Sequence, residues 1–129
     1  MKKYLKLVIL IISIATVFSG LLQIISPGFV LNIIGAEITQ TTKHFFAIVG
    51  MFMALFGGMM IQALYSVNRN EAAVLWASFQ KLGAAVAVGL GIFLGIFNWL
   101  TSSVAIFDLL SGIIFLWYYQ TEKRIRSKE

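Results

Sequence analysis

Two ionisable residues interrupt long apolar runs in this chain, Lys81 and Asp108. A charged group inside a bilayer is costly, so it usually pairs, lines a water path or marks a site. Gln80 adjoins Lys81, and Ser19, Gln23, His44 and Asn98 stand near the ends of apolar runs. These types suit three chemistries. His44 with Asp108 could exchange protons as an acid–base pair. Lys81 with Asp108 could gate or couple ion movement. Amide, hydroxyl and carboxyl groups together could hold the polar head of an amphipathic molecule. Each residue also has a plain structural role to set against these. His44, Gln23 and Asn98 suit a membrane surface, Lys81 could snorkel toward one, and Asp108 could be a hydrogen-bonding carboxyl.

The elements that must position these residues follow from hydropathy. The chain has 129 residues, 60% of them hydrophobic and 12% charged, with mean hydropathy +0.92. Soluble domains carry about a quarter charged residues, so lipid is the solvent this composition fits. A spanning helix needs about 20 mostly apolar residues. Four stretches qualify, at about 4–25, 45–65, 72–100 and 104–119. The expected fold is all-α: one domain over 1–129, a polytopic membrane protein forming an antiparallel four-helix bundle. Open sheet edges are excluded from lipid. Met1-Lys2-Lys3 before an apolar run resembles a signal peptide. The run continues through Ile24 and Ile25, which is a full span, so a retained first helix is expected.

Basic residues set the expected orientation. Lys2, Lys3, Lys6, Arg69, Lys123, Arg124, Arg126 and Lys128 share one side, and only Lys43 lies on the other. By the positive-inside rule both termini are cytoplasmic, in a cytoplasmic (inner) membrane. The same placement reads the +5 charge as membrane anchoring and argues against nucleic acid as a partner. The outer loop from Ser26 to Lys43 opens with Ser26-Pro27-Gly28, which ends the first helix and suits a new first turn. Phe29 to Ile34 is apolar but too short to span, and Gly35 closes it. This reads as a short interfacial helix or lid, or as an apolar loop packed on the bundle. Thr41 or Thr42 is the expected cap of the second span.

Depths follow from the helical rise of about 1.5 Å per residue. With a turn at Asn98 to Ser102, Asp108 falls level with Ile92 and Lys81 lies about 16 Å lower. A direct salt bridge then fails by distance. A kink, a chain of waters or a ligand would have to close the gap, or the lysine is neutral. On this register Ser19, Gln23, His44, Asp108 and Asn98 line a polar pocket open to the outer face, with the first loop over it.

Small residues predict the helix contacts. Gly50, Ala54 and Gly58 recur at four-residue spacing in the second span, and Gly83, Ala87, Gly91 and Gly95 in the third. Met51, Met53, Met59 and Met60 do not share a face, so they read as packing rather than copper ligands. With no cysteine and one histidine, disulfide frameworks and a multi-histidine metal site within one subunit are excluded.

The segment His44-Phe45-Phe46-Ala47-Ile48-Val49-Gly50-Met51-Phe52-Met53-Ala54-Leu55-Phe56-Gly57-Gly58, with Gln80-Lys81, Asp108, Gly112 and Pro27, resembles the DoxX-like group of small four-helix bacterial membrane proteins. The resemblance covers nearly the whole chain and implies the four-helix fold. The group's name links some members to quinone or redox partners. No catalytic motif carries over. Three functions remain open at this stage. One is a binder of a lipid-like or quinone-like molecule, or an accessory subunit of a membrane complex. The second is a small oligomeric transporter or channel using Lys81 and Asp108. However, the small multidrug exporters of this length carry an acidic residue in their first helix, and this chain has none there. The third is an intramembrane enzyme, for which no nucleophile, metal or cofactor site is evident. The partners expected are the bilayer, an amphipathic ligand, a second copy or another membrane protein. No cofactor is indicated.

Overall fold

A computed structural model describes residues 2–68 and 70–128, with the side chain of Lys2 outside that description. Arg69, one of the basic residues counted above, therefore lies outside the described residues. Five α-helices follow one another: α1 (Lys2–Ile25), α2 (Pro27–Ile33), α3 (Gln40–Tyr65), α4 (Glu71–Phe93) and α5 (Ser102–Ser127). A 3₁₀ turn at Trp99–Thr101 leads into α5. There is no strand among the described residues. Four helical segments, Lys3–Ile25, Gln40–Tyr65, Glu71–Phe93 and Trp99–Ser127, are long and apolar enough to cross a membrane.

Local chemistry explains the boundaries. Pro27 occupies the first turn of α2, where its missing N–H costs nothing. Gly35, at φ +73°, ends the helix in a Schellman turn. The N–H of Ala36 donates to Leu31 O and that of Gly35 to Asn32 O. Thr39, rather than Thr41 or Thr42, caps α3. Its hydroxyl accepts from the Thr42 N–H at 3.0 Å, and the Thr42 hydroxyl accepts from the Thr39 N–H at 2.8 Å. This reciprocal capping box starts the helix about one turn before the apolar run.

The third span is shorter than the sequence suggests. Gly95, at φ +77°, makes a second Schellman turn, with Ile96 N–H donating to Gly91 O and Gly95 N–H to Ile92 O. Only glycine takes this left-handed conformation without a Cβ penalty. The helix therefore stops at Phe93, and the apolar run to Leu100 is split between a turn and the start of the next helix.

The helices pack chiefly as two pairs, α1 with α3 and α4 with α5. Contacts step in opposite senses along each pair. In the first, Gly20 lies on Gly50 and Ala54, Val17 and Ser13 lie on Gly57, and Lys6 sits over the Tyr65 ring. In the second, Lys81 meets Asp108 and Ser78 meets Gly112. A Cβ on Gly50 would stand 2.6 Å from Gly20 O, and one on Gly57 2.9 Å from Ser13 O, so backbone meets backbone at this seam. The apolar core between the pairs includes Leu5, Ile9, Ile12, Met60, Leu64, Val74, Phe115 and Tyr118. It fills the half of the molecule nearer the termini.

The expected glycine stripes are corrected in part. Gly50 and Ala54 do form the α1–α3 seam. Gly58 faces away, with open space where a Cβ would go, and Gly57 takes its place. On α4, Gly83 and Ala87 are exposed, Gly91 packs on Phe97 of its own turn, and Gly95 is the turn residue. The buried face of α4 is Val74, Ala77, Ser78, Lys81 and Ala85. Residues four apart drift about 40° per step on a helix of 3.6 residues per turn, so a long four-residue stripe leaves any single face.

Candidate functional site

Lys81 is the centre of the buried polar structure. It lies midway along α4 and is 3% exposed. Its Nζ donates to Thr16 Oγ1 of α1 at 2.6 Å and to Asp108 Oδ1 of α5 at 3.4 Å. The ammonium also stands 5.3 Å from the centre of the Phe107 ring, within cation–π range. Thr16 in turn donates to Ile12 O at 2.8 Å. One ammonium thus ties three helices.

The salt bridge judged too long from the sequence exists. The α4 helix ends at Phe93 and helical structure resumes at Trp99, so the turn is centred near residue 96 rather than 100. Reflection about 96 sets Asp108 level with residue 84, only about 4.5 Å from Lys81 along the axis. An extended lysine covers that span. Neither a kink nor a bridging ligand is needed.

No contact gathers the residues expected around an outward pocket into one cluster among the described residues. Gln23 is buried against α3, where its Nε2 donates to Met53 Sδ at 3.2 Å; its Oε1 has no partner among the described residues. Ser19 is exposed, just outside the buried α1 stripe of Leu5, Ile9, Ile12, Ser13, Thr16, Gly20 and Gln23. His44 is exposed and edges the Phe45 ring. No contact joins it to Asp108 among the described residues. Asn98 is a structural clamp. Its Oδ1 accepts from the N–H and hydroxyl of Thr101, its Nδ2 donates to Ile33 O, and its N–H donates to Ile34 O. It fastens the end of α2 to the turn between α4 and α5.

Gln80 is half-buried beside a small cavity lined by Ser13, Thr16, Phe56, Gly57, Lys81 and Phe115, among others. Its room, about 10 Å³, is near the minimum for one water. The hydroxyl of Ser13, 1% exposed, has no partner among the described residues.

Sequence reading missed two groups. Thr16 is an uncharged residue within the first apolar run and is not among the candidates the sequence offers. Its signal was its place on the α1 stripe that also carries Ser13, Gly20 and Gln23. The second group lies at the end that carries the termini. There Tyr118, buried, hydrogen-bonds Glu122, and Arg126 Nε stands 3.2 Å from Glu71 Oε1. Helical spacing inside α5 pairs Tyr118 with Glu122, but only tertiary packing brings Glu71 to Arg126.

No family model, curated protein or solved structure matches the chain. Among the described residues no cluster of three or more His, Asp or Glu could hold a metal.

Proposed function

We propose that this protein is a non-enzymatic accessory component of a membrane complex, built as an antiparallel four-helix bundle in a cytoplasmic (inner) membrane. Both termini are cytoplasmic, and α2 lies in the outer interface. This orientation rests on the basic residues gathered at one end. The observation that carries the functional reading is the use of the buried charges. Lys81 is bound both to Asp108 and to Thr16, and the cavity beside them has room for about one water. Polar chemistry that a ligand pocket would present is spent on joining helices. Meanwhile Gly83 and Ala87 lie bare on the outer face of α4, a small-residue surface of the kind helices use to associate. The resemblance to the DoxX-like group is compatible with a partner, since that group's name links some members to quinone or redox partners.

The test is the size of the native assembly. The protein is extracted gently from its own membrane and run on a native gel beside the Gly83→Leu/Ala87→Leu variant. A wild-type band well above the monomer, lost in the variant, supports the proposal. A wild-type protein that travels alone sinks it. A second reading, a proton-coupled transporter, is favoured by one observation, the charged pair at mid-span. Proton flux into liposomes that is lost in Asp108→Asn would establish that reading instead.

A further inference from the structure

At the end of the molecule that carries the termini, α1 and α3 diverge around a groove of about 240 Å³. It is lined by Lys3, Tyr4, Lys6, Leu7, Leu10, Leu64 and Tyr65. Its floor is aliphatic. Its rim carries two lysines and two tyrosines, and no acidic side chain lines it among the described residues. Lys3 and Lys6 are three apart on one helix, so they lie on neighbouring positions of one face. Lys6 Nζ stands 5.9 Å from the centre of the Tyr65 ring, which holds its head at the rim above the leucines. Tyr4 and Tyr65 are both exposed at the level where tyrosines anchor a membrane interface.

We propose that this groove binds one anionic phospholipid, with its phosphate between Lys3 and Lys6 and an acyl chain along Leu7, Leu10 and Leu64. Charge complementarity selects the occupant. A zwitterionic lipid chain gains nothing from the groove over the surrounding bilayer, because lipid tails are as apolar as leucine. The two ammonium groups therefore decide which lipid stays. Each lysine near an anionic membrane surface contributes roughly a fivefold preference. Elsewhere at this end, among the described residues, Arg126 pairs with Glu71, Lys123 lies 6.0 Å over the Tyr119 ring, and Lys6 also borders a neighbouring cavity with Glu71 and Glu122.

The full chain is placed in nanodiscs with equal phosphatidylglycerol and phosphatidylcholine, released, and weighed by native mass spectrometry. Wild type should retain one phosphatidylglycerol in clear excess. Lys3→Gln/Lys6→Gln should lower that preference about fivefold for each lysine removed. Lys123→Gln/Lys128→Gln, which removes equal charge at the same end, should leave it unchanged. Leu7→Trp, which fills the groove from its exposed rim and keeps both lysines, should lose the retained lipid. Equal losses from the two lysine pairs would mean diffuse attraction to the basic end and would overturn the site. So would retention unaffected by Leu7→Trp. Lys3→Arg/Lys6→Arg keeps the charge and should keep the lipid, which separates the site from any general damage to α1.

Discussion

Two lysine environments in this molecule teach different lessons. Lys81 is buried, and its ammonium is held by Asp108, Thr16 and the Phe107 ring. Lys3 and Lys6 sit at the rim of an open apolar groove with no acidic group in its lining among the described residues. In the first case the protein supplies every partner, and the charge serves the assembly of helices. In the second the groove's described lining gives Lys6 the face of the Tyr65 ring but no carboxylate. Burial of an ion pair is seldom a net gain over apolar packing, but losing one partner leaves a charge stranded. Lys3 is exposed and Lys6 half-buried, so neither is a stranded buried charge.

The contrast can be broken most severely at Asp108. Asp108→Leu should cost about 3–5 kcal/mol, the usual loss when one member of a buried pair is removed. Denaturant titration in micelles measures it. The double variant Lys81→Met/Asp108→Leu should recover most of that loss, because no charge is then left unpaired. A double variant as unstable as the single one would show that the two residues are not coupled.

Thr16→Val should cost about 1.5–3 kcal/mol, the range for a hydrogen bond to a charged group. The α4–α5 contacts should be retained, since Thr16 reaches Lys81 from α1. Hydrogen exchange resolved by helix checks both parts: α1 should lose protection while α5 around Gly112 keeps it.

Lys3→Gln/Lys6→Gln should change stability by less than about 0.5 kcal/mol, as exposed substitutions usually do. The same titration tests this. Smallest of all is the expected response of the Lys81 cluster to salt. Raising ionic strength toward 1 M shortens screening to about 3 Å and should weaken lipid selection at Lys3 and Lys6. The stability difference between wild type and Asp108→Leu should stay constant, because the buried pair is shielded from the solvent ions.

How much of this was legible beforehand differs by residue. Pro27 and Gly35 announced α2, because proline and glycine act through their own backbone. Gly50 and Ala54 marked the α1–α3 seam. Gly95 was read as a packing residue, and that one misreading moved the turn by about four residues. Asp108 was then placed level with Ile92, and a real ion pair was judged too long. The expectation of an outward pocket had a different weakness. Its members were matched by depth alone, while Ser19 and His44 point away from the core by rotation about their helices.

The sequence by itself determined the number of long apolar helices, because lipid solvation is set by composition and a span by residue count. It also determined the turn at Pro27 and the helix stop at Gly35, but not the turn at Gly95 that shortens α4. Only the tertiary structure decided which polar groups meet, since that depends on helix register and rotation. A shift of one turn moves a side chain about 5.4 Å along the axis, and hydropathy is nearly blind to it. Thr16, Lys81 and Asp108 come together because the Schellman turn at Gly95 fixes the register of α4 against α5, and the glycine contacts of α1 with α3 set the rotation of α1.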